Sequence, residues 1–309
     1  MKIVYMGTPD FAVPALKKLH ENSYEICLVV TKPDRPKDRG KKMQSCEVKQ
    51  LAEELGLPVE TPEKLKGNTE FFEKLKALAP DFIIVAAYGK ILPKDILDIP
   101  KYGCINIHGS LLPKYRGAAP IHHAVINGEK ETGATIMYMA EGMDTGDIIS
   151  QFSTPVGEKT TEELFDEIAE KGADLLIETL PKLVRGEITP VKQDDSLACN
   201  SPMLFKEDGI IDFTKTKRQV ACLIRGFSSW PCASTKLDGE VMKVYMAKEG
   251  SDSVKAAPGT VVSAGKDGIE VACGDGTVFL TKIQMPGKKA MDSSAFLLGH
   301  SIEKGTVLG

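Results

Sequence analysis

The chain has 309 residues, about twice a typical domain, and its 42% apolar and 27% charged content is that of a globular protein of two domains. No apolar run approaches the ~18 residues of a membrane span, and the short run at residues 3–6 ends in a Gly-Thr-Pro turn, too short for a signal sequence. Seven scattered cysteines, odd in number and never spaced as Cys-x-x-Cys, argue against a disulfide framework or a zinc site and favour a reducing, cytoplasmic setting.

Taken in order, residues 2–6 read as a buried strand and 11–22 as a helix whose Ala15, Leu16 and Leu19 share one face. A β-branched strand follows at 26–31. Residues 31–43 then carry Lys32, Arg35, Lys37, Arg39, Lys41 and Lys42 against Asp34 and Asp38, a local +4 on a chain whose net charge is −4. Such a patch lets an acidic body meet a polyanion through one surface. Helices are expected at 47–55 and 69–78, and strands at 82–87 and 103–108. Continuous apolar strands alternating with helices imply a Rossmann-like parallel sheet covered on both faces, the α/β class.

The strand at 103–108 leads into the richest stretch. Strand side chains alternate, so Ile105 and Ile107 share one face while Asn106 and His108 share the other, just where the strand ends. Ligands of open parallel sheets bind at that end. The next segment, Ser110-Leu111-Leu112-Pro113-Lys114-Tyr115-Arg116-Gly117-Ala118-Ala119-Pro120, is irregular but stiffened by its prolines. It can hold a flat ligand with apolar side chains and backbone groups, or simply connect the strand to a helix near 121–127. Between two β-like runs (134–139 and 148–154) lies Glu141-Gly142-Met143-Asp144-Thr145-Gly146-Asp147. Its aspartates suit Asx-turns, and Asp144 could equally stand beside His108. Neither Gly-x-Gly-x-x-Gly nor Gly-x-x-x-x-Gly-Lys-Ser/Thr occurs, which removes the simplest dinucleotide and triphosphate readings.

Thr160 to Glu163 forms a capping-box pattern that opens a long helix ending near Arg185-Gly186. Residues 190–205 are polar and irregular and read as a linker between a domain at 1–189 and another at 206–309. The second domain carries 14 Lys and Arg against 12 Asp and Glu, a net +2 that leaves −6 for the rest. After one helix at 218–227 it turns to short strands at 234–237, 241–246, 259–263, 269–273 and 277–284. Asp-Gly pairs at 238, 267 and 275 mark turns between them, the pattern of a small all-β barrel of oligonucleotide-binding (OB-like) type.

Asn106-x-His108, the Ser-Leu-Leu-Pro loop and Asp144 resemble the catalytic set of the 10-formyltetrahydrofolate-dependent formyltransferases. Met6 to Ala12, Lys32 to Pro36, Arg39 to Lys42, Gly117 to Ile121, Ile224-Arg225 with Trp230-Pro231, and Pro286 to Met291 are similar to the methionyl-tRNA formyltransferase branch of that family. Departures from the branch stand at Asp38, where a glycine is usual, at Asn200 to Met203, and at Ser229 before Trp230.

The resemblance implies that Asn106, His108 and Asp144 are catalytic and that Ser110, Leu111, Leu112 and Pro113 hold 10-formyltetrahydrofolate. It implies further that Arg35, Arg39, Lys41, Lys42, Lys288 and Lys289 meet charged initiator tRNA, whose methionine amine is the acceptor; no metal is required, because two donors and a carboxylate cover each charge that develops, and a monomer is expected. Formyl transfer to an amine builds negative charge on the formyl oxygen, and Asn and His side chains are suitable donors to it. The basic loop and Gly117 to Pro120 argue against an amino sugar nucleotide as acceptor, and a bare RNA-binding module would leave Asn106 and His108 without a task.

Overall fold

A computed structural model describes residues 1–37, 42–228 and 230–309. The chain forms two compact units: residues 1–117, 132–154 and 165–200 make the first, and residues 118–131, 155–164 and 201–309 the second. No helix among the described residues is long and apolar enough to cross a membrane.

The first unit is built on a seven-stranded sheet. Its strands are β1 (Lys2–Gly7), β2 (Glu25–Val30), β5 (Val59–Glu60), β6 (Phe82–Ala86), β7 (Cys104–His108), β9 (Glu131–Tyr138) and β10 (Ile148–Pro155), in the order β10-β9-β7-β6-β1-β2-β5. The five strands from β5 to β7 run parallel. β9 joins β7 antiparallel, so the sheet is mixed at that edge and His108 is paired with Thr135. Every residue of β6 is buried, as are Ile3 to Met6 of β1, which explains their unbroken apolar runs. Helix α1 (Val13–Glu21) buries Ala15, Leu16 and Leu19, the face its spacing predicts. α2 (Glu47–Glu54), α3 (Thr69–Leu78) and α4 (Lys94–Leu97) follow within the same unit. The basic stretch contains a short antiparallel pair, β3 (Arg35–Lys37) and β4 (Lys42–Gln44), which its charge pattern does not announce.

Helix α6 (Thr161–Val184) starts at the predicted capping box. The Thr160 amide donates to the Glu163 carboxylate at 2.8 Å, and the Glu163 amide donates to the Thr160 hydroxyl at 3.2 Å. The Thr160 amide, joined by the Thr160 hydroxyl, donates to the Glu163 carboxyl and holds it below its ordinary range.

In the second unit, β12 (Ala233–Leu237), β13 (Glu240–Glu249), β14 (Val261–Gly265), β15 (Gly268–Ala272), β16 (Thr277–Gln284) and the short β17 (Met291–Asp292) form one antiparallel sheet. Asp238 and Gly239, both at positive φ (52° and 81°), make the two-residue turn between β12 and β13. α7 (Lys217–Gly226) lays Val220 and Ile224 on the core formed with Val244, Val271 and Leu280. α5 (Pro120–Ile126) packs on α7 so closely that a Cβ at Gly226 would lie 2.3 Å from the Ile126 side chain. α8 (Ser293–Leu297) completes the unit.

Candidate active site

β7 sits between β6 and β9, so its backbone is bonded on both sides and its side chains are aimed by the pleat. His108, only 5% exposed, has Nε2 2.9 Å from the Tyr115 carbonyl and Nδ1 3.6 Å from Asp144 Oδ2. A carbonyl only accepts, so the Tyr115 contact puts the proton of neutral His108 on Nε2 and turns a basic Nδ1 toward the carboxylate. At 3.6 Å the two groups face each other without a hydrogen bond of ordinary length. Asp144 Oδ2 also accepts from the Gly117 amide at 2.8 Å. The strand end, the turn after β9 and the irregular loop therefore converge on one point. Asn106 is partly exposed on the same face as His108, and its side chain makes no hydrogen bond among the described residues.

The loop after β7 is fixed from inside. Fully buried Thr135 donates to the Ser110 carbonyl at 2.6 Å and accepts from the Leu112 amide at 3.1 Å. Gln151 Nε2 bridges the Leu112 carbonyl (2.9 Å) and the Thr135 hydroxyl (2.8 Å). Ser110 Oγ donates to the Lys114 carbonyl at 2.7 Å. Ser110 and Leu112 are thus almost fully buried, at 1% and 3%, while Leu111 and Pro113 keep exposed surface. Leu111 and Pro113 are the apolar residues of this loop that keep exposed surface, and the buried Ser110 and Leu112 alternate with them.

A methionyl-tRNA formyltransferase from Clostridium novyi is 50% identical over 309 residues, all of both chains. The chain belongs to the methionyl-tRNA formyltransferase family. A second protein of that name, from Citrifermentans bemidjiense, is 48% identical over all of this chain and 96% of its own. The formyl transferase family profile matches residues 1–180, and the formyl transferase C-terminal domain profile matches residues 203–301. Among solved structures, an N-formyltransferase from Helicobacter canadensis in complex with folinic acid and dTDP-3-aminofucose aligns with TM-score 0.69. It is 19% identical and covers 92% of this chain and 99% of its own. HypX from Aquifex aeolicus in complex with tetrahydrofolic acid aligns with TM-score 0.65 at 18% identity over 99% of this chain and 50% of its own. At these identities the likenesses speak for the formyltransferase fold.

The remaining family residues divide between the units. Arg35 and Lys42 stand on the backbone of β3 and β4, and Arg39 and Lys41 lie outside the described residues. Lys288 and Lys289 are exposed in the turn between β16 and β17 of the second unit. Three residues at the site carry no sequence signal of their own. Arg116 and Gln193 are bonded to each other beside Asp144, and the Cys199 thiol accepts from the Tyr115 amide at 3.3 Å. Gln193 and Cys199 come from the polar stretch read as linker, where only the folded contacts reveal them.

Proposed function

We propose that this chain transfers the formyl group of 10-formyltetrahydrofolate to the free amino group of methionine on charged initiator tRNA, preparing it for translation initiation. The observation that carries the reading is the meeting of Asn106, His108 and Asp144 at the carboxyl end of β7, with His108 Nδ1 3.6 Å from the carboxylate. Asn106 donates its amide N–H to the formyl oxygen as negative charge gathers there, and a protonated His108 adds a second, charged donor. Asp144 keeps the His108 ring oriented; Nδ1 of neutral His108 takes the proton of the attacking amine, which charges the ring, and returns it to folate N10 as the bond from the formyl carbon to N10 breaks. The partly exposed Leu111 and Pro113 suit the flat face of the folate ring, a co-substrate whose polar edge backbone groups of the loop can meet, and the buried Ser110 and Leu112 keep them rigid.

The division of labour follows the charge. Residues 1–189 carry the catalytic set and 206–309 bind tRNA, a reading the separate family profiles over 1–180 and 203–301 support, while the stretch at 190–205 is more than a linker, since its Gln193 and Cys199 bond to the catalytic unit. Arg35, Arg39, Lys41, Lys42, Lys288 and Lys289 contact tRNA phosphates, and the enzyme works as a monomer in the cytoplasm. The test is incubation with labelled formyl-folate and three acceptors: charged initiator tRNA, an amino sugar nucleotide and glycinamide ribonucleotide. Formylation of the tRNA alone is expected, and label in either other acceptor with none in the tRNA overturns the reading.

A further inference from the structure

Asp144 holds a backbone conformation that non-glycine residues seldom adopt, with φ at +52°. Such a conformation persists where its surroundings over-determine it. Here one side chain bonds the turn at both of its ends. Gln193 Nε2 donates to the carbonyls of Asp144 and Gly146, both at 2.8 Å, which uses both amide protons on the two ends of the turn. Its Oε1 accepts from Arg116 Nε at 3.0 Å and Nη2 at 2.8 Å. Carbonyls only accept and guanidinium only donates, so the amide can face one way alone. Arg116 is itself mostly buried, with its side chain 12% exposed, and Nη2 reaches Asp195 Oδ1 at 2.7 Å.

Arg116 immediately precedes Gly117, whose amide donates to Asp144 Oδ2. Gln193 therefore ties both halves of one contact: through Nε2 the turn that carries the carboxylate, through Oε1 the segment that carries its donor. Gly146 lets the turn lie this close, since a Cβ there would fall 1.8 Å from the Tyr138 carbonyl. Only a side chain with donors at one end and an acceptor beside them can make all four bonds at this reach. Glutamate lacks the donors, and asparagine is shorter by a methylene.

We infer that Gln193 is a positioning residue for formyl transfer, setting the Asp144 carboxylate against His108 by fixing the turn on the Arg116–Gly117 segment. The inference rests on the proposed function for its kinetic consequence but not for its structural one. Gln193→Glu keeps an acceptor for Arg116 while replacing both donors with negative charge facing two carbonyls. Gln193→Met keeps the shape and removes every bond, and serves should the first variant fold poorly.

The expected result is a kcat loss on the order of 100-fold in charged-tRNA formylation, the scale of a small misplacement of a reacting group. Folate affinity should stay within about threefold of wild type, because the hydrogen bonds of Gln193 go to Arg116, Asp144 and Gly146 rather than to Leu111–Pro113. The Gly117 amide should exchange with solvent at least about tenfold faster, as its carboxylate acceptor is released. In an Asp144→Asn background, adding Gln193→Met should change kcat less than about threefold, since a residue acting only through Asp144 has nothing left to act on. Near wild-type turnover with an unchanged Gly117 exchange rate would overturn the inference, as would full additivity with Asp144→Asn. A wild-type enzyme unable to formylate charged tRNA would refute the proposed function instead, and the Gly117 exchange rate would still decide the role of Gln193.

Discussion

Replacing Thr135 with valine removes one hydroxyl from a buried site without changing its shape. That hydroxyl spends its single proton on the Ser110 carbonyl and accepts from the Leu112 amide and Gln151 Nε2, so its whole capacity is in use. Gln151 keeps a partner in the Leu112 carbonyl at 2.9 Å, whereas the Ser110 carbonyl and the Leu112 amide lose the hydroxyl that pairs them. Each buried group left unpaired costs about 1–3 kcal/mol, so Thr135→Val should destabilise the first unit by about 2–6 kcal/mol. For a cooperative unit of this size that lowers Tm by about 2–4 °C per kcal/mol. Thr135→Ser is the control: it keeps all three bonds and loses one methyl, about 1 kcal/mol. Urea unfolding followed by circular dichroism gives the stability difference, and formyl-folate titration reads the loop. The KM for folate should rise in Thr135→Val and hold in Thr135→Ser. A valine variant within about 0.5 kcal/mol of wild type, or a serine variant no better than valine, would refute the reasoning that hydrogen bonds rather than packing fix this loop.

Asn106→Ala and His108→Ala should each lose kcat by about 100- to 1,000-fold, the cost of one oxyanion donor, with folate affinity within a few-fold; single-turnover assays read the chemical step directly. Changing Arg39, Lys41 and Lys42 to alanine should flatten the salt dependence of tRNA binding by about 0.7–0.9 in log–log slope per lost phosphate contact and leave folate binding alone, which a filter-binding series across salt concentrations measures. Thr160→Ala should cost about 0.5–2 kcal/mol of stability by removing the cap of α6. The Glu163 carboxyl is held low in the fold, so its share of that stability is complete above its ordinary value of 4.5 and lost as pH falls through the lowered one. The gap between wild type and variant should therefore narrow on acid titration by the part owed to the Thr160 hydroxyl on the carboxylate, and a gap that stays constant down to the lowest pH would contradict the assignment.

Much of this was legible before folding because the signals were periodic or chemical. Alternation alone put Asn106 and His108 on one face of a strand, and the Thr160–Glu163 pattern marked the start of α6. The all-β strands of the second unit lie within a few residues of the runs between their Asp-Gly turns. Direction was harder: the runs that became β9 and β10 say nothing about which way they join β7, so the mixed edge of the sheet emerges only from pairing. The loop after β7 has no period, and nothing in the order Ser-Leu-Leu-Pro tells that Leu112 is packed inside while Leu111 is not. Gln193 was hidden for a plainer reason. Its partners are main-chain carbonyls and an arginine 77 positions away, and a polar residue in a polar stretch carries no mark of such bonds.

The partition of the chain also bears on how such enzymes can be recombined. The two compact units do not divide the sequence once: the chain passes between them after residues 117, 131, 154, 164 and 200. Residues 118–131 supply α5, whose Ile126 fits against Gly226, and residues 155–164 supply Gly157, whose carbonyl accepts from Arg225 at 2.8 Å, and Thr161, whose hydroxyl donates to the Gly226 carbonyl at 2.8 Å. A chimera spliced at the gap between the two family profiles, near residues 181–202, would join α5 and residues 155–164 of one parent to α7 of another. Ile126, Gly226 and Arg225 would then have to match across parents, although they lie far from the splice in sequence. A graft that carries residues 118–131 and 155–164 together with the C-terminal part keeps those contacts within one parent, so the unit of inheritance for exchanging the second compact unit is three stretches of chain rather than one.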